Sequence, residues 1–142
     1  MQTKEIFSSQ LPVGERLSIM RTRFEPKSVD ETTKRIAIVS GIHGDELEGQ
    51  LVIFLLIEWL RKNRSSVRGI IDFYPAVNAL GVDTIIRGVP VYGVDLNRVF
   101  PGSKHEFLPG QMARALCADI KGSDIAIDIH SSNIFLREIP QI

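Results

Sequence analysis

The chain reads as an α/β domain with a mostly parallel central sheet flanked by helices. Three observations predict this. The apolar runs Ile36-Ala37-Ile38-Val39, Gly69 to Tyr74 and Asp124 to Ile129 are short and bounded by turn residues, as buried strands are. The longer stretches Asp45 to Asn63 and Pro109 to Lys121 carry apolar residues at helical spacing. Their order along the chain is strand, helix, strand, long loop, helix, strand, the alternation of a parallel sheet with crossover helices.

In order, Leu17 to Phe24 alternates apolar and basic residues and predicts an early strand at a sheet edge. Glu25 to Lys34 is polar, contains Pro26 and predicts a loop or hairpin. Arg35 to Ser40 follows as a buried strand. In the helix Asp45 to Asn63, Leu47, Leu51, Phe54, Leu55 and Glu58 recur at helical spacing. Acids at its start and Arg61, Lys62 and Arg64 at its end suit the helix dipole. A third segment, Gly69 to Tyr74, is a short buried strand ending at Pro75. Val77 to Leu108 has little regular pattern and many glycines and prolines, and a loop that long in a compact domain carries function or stays disordered. Pro109 suits the first turn of the next helix. Asp124 to Ile129 closes the series as a buried strand.

Composition bounds the function. The 142 residues suit one domain, with 44% hydrophobic and 24% charged residues. Seventeen basic residues balance seventeen acidic ones, so the net charge of zero argues against a nucleic-acid surface. Cys117 is the single cysteine, which excludes an intrachain disulfide and a cysteine-rich zinc ribbon. It lies in an apolar helical pattern with Ala113, Leu116 and Ile120, where a buried structural thiol is expected. The first residues lead into no apolar signal-peptide core, and Leu51 to Ile57 is far shorter than the ~20 residues of a membrane span. A soluble cytoplasmic protein without membrane contact is expected.

The segment Gly41-Ile42-His43-Gly44-Asp45-Glu46 carries the most chemistry. It joins a strand to a helix through a glycine turn, so His43 and Glu46 can face one spot. His130 follows the last strand. Two histidines and a glutamate at strand ends make a three-ligand zinc site with an open fourth position, which a catalytic zinc needs. The alternative for His43 is a turn histidine bonded to backbone. Asp45 and Glu48 suit the helix N-terminus. Asp128 shares a strand face with His130 and either orients that histidine or bonds backbone at the sheet end.

In the long loop, Asp95-Leu96-Asn97-Arg98 offers an amide beside a guanidinium, a pair suited to a planar carboxylate. The bland alternative is a surface loop with one salt bridge. Arg87 suits either an electrophilic clamp on a carbonyl or a solvated position. His105-Glu106 is not the start of a His-Glu-x-x-His helix, because Pro109 stands where the second histidine belongs.

His43-Gly44-Asp45-Glu46, Asp95-Leu96-Asn97-Arg98-Val99-Phe100-Pro101-Gly102 and Asp128-Ile129-His130, in this order, resemble the zinc carboxypeptidase superfamily. More narrowly they resemble its succinylglutamate desuccinylase/aspartoacylase branch, over roughly residues 36 to 133. The resemblance implies one Zn2+ per chain, held by His43, Glu46 and His130. It implies that Asn97 and Arg98 bind the substrate carboxylate and that Arg87 polarises the scissile carbonyl. It implies a zinc-carboxypeptidase-like α/β fold. The 84 positions between Glu46 and His130 are few for a digestive-type carboxypeptidase and favour the deacylase branch.

The family's general base is a glutamate far downstream of the second ligand histidine. Ile142 stands twelve positions after His130, and Glu138 is the one glutamate in between, read as structural. Residues 1–142 are therefore expected to be the N-terminal part of the catalytic domain, without the part that carries the base. The implied function is a zinc-dependent amide hydrolase acting on N-acyl amino acids. Two alternatives stand: a metallocarboxypeptidase trimming peptide C-termini, and a non-catalytic carboxylate-binding relic. Apolar surface left uncovered on such a portion predicts self-association.

Overall fold

A computed structural model describes residues 1–132 together with Ile139 and Ile142. The reading of Glu138 as structural lies outside the described residues. Five strands form one mixed sheet: β1 (Gln2–Gln10), β2 (Arg16–Phe24), β3 (Arg35–Ser40), β4 (Ile70–Tyr74) and β5 (Ile125–Ile129). Their spatial order is β1-β2-β4-β3-β5. β3 runs parallel to both β4 and β5, while β2 is antiparallel to β1 and β4. The helices are α1 (Glu48–Lys62), α2 (Ala79–Thr84) and α3 (Leu108–Ile120). Among the described residues, no helix is long and apolar enough to cross a membrane.

Side chains alternate across the pleat and divide the core in two. On one face, Leu17 and Ile19 of β2, Ala37 and Val39 of β3 and Tyr74 of β4 pack against Met112, Ala113 and Leu116 of α3. On the other, Phe24 and Phe73 pack against Ile53 and Leu60 of α1, with Ile38 and Ile71 beside them. The Phe24 and Phe73 rings meet edge to face at 6.1 Å.

The α/β architecture follows the expectation; four details differ. First, β1 has no alternating pattern, because a bulge between Glu5 and Phe7 breaks its register with β2. β2 is consequently an inner strand and β1 the edge. Second, the long segment after β4 contains α2 and a 3-10 turn at Leu96–Arg98. Third, α1 begins at Glu48 and buries Gly49, Ile53 and Leu60, leaving Leu51, Phe54 and Leu55 more than half exposed. The helix is apolar almost all round, so periodicity could not choose its inner face. Gly49 chooses it: a Cβ there would lie 2.8 Å from Ser40 Cβ and 3.2 Å from the Ile129 carbonyl oxygen. Fourth, β5 is exposed along most of its length, with Ile125 at 56% and Ile127 at 43%. An apolar run marks a strand that can be covered, and the cover need not come from the residues nearby.

Candidate metal and carboxylate site

β3 ends at Ser40, and Gly41 turns the chain with a positive φ of 67°, a conformation open to glycine. The Val77 and Asn78 amides donate to the Ser40 and Gly41 carbonyls, tying this turn to the segment after β4. Gly44 then presses on Gly81, where a Cβ would stand 2.0 Å from backbone carbon. That contact explains the glycine after His43. The Gly44 amide donates to the Arg87 carbonyl at 3.3 Å, which brings the Arg87 segment alongside His43.

The parallel register sets Ser40 of β3 opposite Ile129 of β5. The chain therefore leaves both strands on one side, at their carboxyl ends, where α/β sheets collect ligands. His43 Nδ1 lies 2.7 Å from Glu46 Oε1, and His130 Nδ1 lies 2.9 Å from Glu46 Oε2. The two imidazole centroids are 4.8 Å apart. His43, Glu46 and His130 each offer one ligand atom, and these atoms all lie within 4.8 Å of one another. Both outward ring nitrogens have a carboxylate: His43 Nε2 meets Asp95 Oδ1 at 3.1 Å, and His130 Nε2 meets Asp128 Oδ2 at 2.8 Å. Imidazoles that ligate a metal through one nitrogen are held in this way through the other. The donor set of two imidazoles and one carboxylate fits a zinc ion with an open position.

His43 and Glu46 are buried, whereas a third of the His130 side chain is exposed. Burial works to raise the Glu46 pKa, but the Ser131 amide, His130 and His43 together lower it below the usual value. The Asp128 carboxylate, acting against burial and joined by Glu46, raises the His130 pKa to about 9. Asp95 is lowered despite burial by the His43 hydrogen bond, the Asn97 amide and the charges of His43 and Arg87.

Arg87 donates from Nη1 to Glu46 Oε1 at 2.9 Å, and its Nη2 lies 3.6 Å from Asp95. Asn97 Nδ2 lies 3.5 Å from His130 Nε2. Arg98 sits beside Asn97 in the 3-10 turn, exposed, with no carboxylate partner among the described residues. The structure thus brings His43, Glu46, His130, Arg87 and Asn97 together, while Arg98, exposed in the adjoining turn, shows no hydrogen bond or ion pair with any of them. Asp95 and Ser131 received no role from the sequence. Asp95 caps the Leu96–Arg98 turn by accepting from the Asn97 amide at 2.9 Å, and its place before Leu96-Asn97-Arg98 was the signal available. Ser131 donates its amide to Glu46 Oε2 at 3.0 Å, a backbone contact with no sequence signature. Cys117 is half-buried, and burial pushes its thiol pKa up, as suits a structural thiol.

Residues 32–138 match the family model of the succinylglutamate desuccinylase/aspartoacylase catalytic domain. The chain belongs to this family. Over 107 residues it is 33% identical to the N-alpha-acetyl-L-2,4-diaminobutyric acid deacetylase of Halomonas elongata, covering 72% of this chain and 30% of that one. Over 71 residues it is 39% identical to the aspartoacylase of Mus musculus, covering 49% of this chain and 21% of that one. A crystal structure of an aspartoacylase family protein from Mesorhizobium loti matches with a TM-score of 0.75 at 26% identity, over 91% of this chain and 40% of that one. The chain therefore spans about a third of the length of the family members it matches. Desuccinylase/aspartoacylase relatives that are deacylating hydrolases support a hydrolase reading for it.

Proposed function

We propose that this chain is the metal-binding portion of a zinc-dependent amide hydrolase that removes acyl groups from N-acyl amino acids. The observation that carries the reading is the convergence of His43, Glu46 and His130 beside Arg87 and Asn97. His43, Glu46 and His130 would hold one zinc ion. Bound there, zinc supplies Lewis acidity toward the amide carbonyl and toward water. Asp95 and Asp128 hold the two imidazoles in register through their Nε2 atoms. Arg87, whose guanidinium bonds Glu46, would stabilise negative charge developing on the carbonyl oxygen. Asn97 and Arg98 take the substrate carboxylate, the arginine through its paired N–H groups. The general base comes from family residues downstream of His130.

An amine-release assay with N-acyl amino acids tests this. The zinc-loaded chain is expected to turn over ~10²–10⁴-fold more slowly than a fusion that adds the downstream segment of the Halomonas elongata deacetylase, the usual range for loss of a general base. Full activity of the chain alone would overturn the assignment of the base. Binding without turnover in the fusion would leave a carboxylate-binding relic, and a preference for peptide C-termini would make it a carboxypeptidase.

Self-association belongs to the same reading. On one flank of α1, Val52, Leu56 and Trp59 are 42%, 38% and 53% exposed, and Ile125 and Ile127, in register with Ile36 and Ile38 on the α1 side of the sheet, are exposed too. A patch of this kind on a soluble chain seeks cover. Light scattering is expected to give a mass above the 15.9 kDa of one chain. A monodisperse monomer at high concentration would refute it.

A further inference from the structure

A second concave surface lies on the α3 face of the sheet at the β1 edge, away from the β5 edge that bears His130. It encloses about 400 Å³ between β1 and α3. That volume falls within the ~300–1,000 Å³ of small-molecule sites. Two features of the sequence create it. The bulge between Glu5 and Phe7 leaves Ile6 without a partner and sets Phe7 opposite Ile19. Lys4, Ile6 and Phe7 consequently all line the cavity, where an unbroken strand would send two neighbours to opposite faces. From α3, Gln111, Arg114, Ala115 and Ala118 share one helix face, and the two alanines leave the space empty.

The charge around this cavity is one-sided. Lys4, Lys104 and Arg114 line it, and none of the three pairs with a carboxylate among the described residues. Asp119 is the one acid in the lining, and it is already engaged. Arg21 donates to both its oxygens at 3.1 and 2.9 Å, and the Tyr74 hydroxyl donates to Oδ2 at 2.8 Å. Three cations therefore remain uncompensated around an apolar floor of Ile6 and Phe7, in a chain whose net charge is zero.

We propose that the cleft between β1 and α3 binds a small organic phosphate, with its phosphate on Lys4, Lys104 and Arg114 and its apolar body on Ile6 and Phe7. A lone carboxylate carries one charge and would leave most of the cationic field unmet. A phosphate monoester carries a charge near −2 with three strong acceptor oxygens, which suits a lining that holds three cations. Phe7, half-buried against the core, and Ile6 add apolar area to the lining for the body of such a ligand.

Calorimetric titration of the chain with adenosine monophosphate tests this, with inorganic phosphate and adenosine as separate arms. The monophosphate is expected to bind saturably, about tenfold or more tighter than either part alone. Arg114→Glu and Lys104→Glu are each expected to weaken it about tenfold, the scale of one charge-assisted hydrogen bond. Arg114→Lys retains most of the affinity, and Lys62→Glu on α1 leaves it unchanged. Thermal melts establish that each variant folds. Absence of saturable binding overturns the site, as does binding indifferent to Arg114→Glu or equally sensitive to Lys62→Glu. Inorganic phosphate binding as tightly as the nucleotide overturns the role of Ile6 and Phe7, and adenosine doing so overturns that of the cations.

Discussion

Incubated with zinc and desalted, the wild-type chain is expected to retain about one zinc, and His43→Ala and Glu46→Ala to retain close to none. Elemental mass spectrometry on protein of known concentration measures this directly. The expectation rests on how few donors the site has. A catalytic zinc takes three protein ligands, and removing one leaves two, so the affinity lost exceeds the ~10–100-fold typical of outer hydrogen-bond partners. Glu46 is the more severe loss, since its two oxygens face both histidines at 2.7 and 2.9 Å and it supplies the only anionic ligand of the set. Asp95→Ala and Asp128→Ala give the intermediate case. They remove the carboxylates at His43 Nε2 and His130 Nε2, so about one zinc still binds, with affinity lowered ~10–100-fold. A wild-type chain that holds no zinc, or a His43→Ala chain that holds as much as wild type, would sink the metal site. The hydrolase reading would then stand on family membership alone.

The His43, Glu46 and His130 cluster was legible for a local reason. His43 and Glu46 are three residues apart at a strand-to-helix corner, and the corner is written in the glycines around them. His130 was legible because an apolar run ends just before it, and parallel strands bring their ends together. Residue type alone offered Asn97 with Arg98 as a carboxylate pair and Arg87 as a clamp, but bringing Arg87 and Asn97 to the histidines needed the resemblance, since nothing in a glycine-rich loop states where it returns. Asp95 shows the limit more sharply. Its side chain meets His43 across 52 positions of sequence, a contact that exists only once the loop has folded back. The face of α1 was lost for the opposite reason, too much signal: Leu51, Val52, Phe54, Leu55, Leu56 and Trp59 surround the helix with apolar residues. A hydrophobic pattern reports what can be buried, and close approach at Gly49 decided what is. β1 escaped notice because its bulge removes the period-two alternation that marks a strand.

Replacing Asp72 with asparagine is expected to destabilise the chain by about 3–5 kcal/mol, the scale of breaking a buried ion pair from one side. Asp72 stands on β4 and is wholly inaccessible. Its Oδ1 accepts from Arg23 Nε at 2.6 Å, and its Oδ2 accepts from Arg23 Nη2 and Arg35 Nε, each at 2.7 Å. Arg35 also donates to the Asp119 backbone carbonyl at 2.7 Å, so one carboxylate fastens β2, β3 and β4 to the C-terminal end of α3. Asparagine keeps the shape and removes the charge, leaving two largely buried guanidiniums facing a neutral amide. A loss of this size is a large share of the ~5–15 kcal/mol that holds a domain together. Urea unfolding measures it, with Asp124→Asn as the comparison, because Asp124 pairs with the exposed Lys34 and its loss should be far smaller. Acid provides an independent check. Burial raises the Asp72 pKa, but the hydrogen bonds from Arg23 and Arg35 and the charges on both outweigh it and hold the folded value below 3.8. A carboxylate lowered on folding contributes stability that is fully present above its unfolded pKa and lost as pH falls through the folded one. Wild-type stability should therefore hold at neutral pH and fall as acid reaches and passes below that range, whereas Asp72→Asn, already lacking this contribution, should fall less steeply there. Equal losses for Asp72→Asn and Asp124→Asn, or parallel acid profiles for wild type and Asp72→Asn, would show that the network does not hold the sheet to α3.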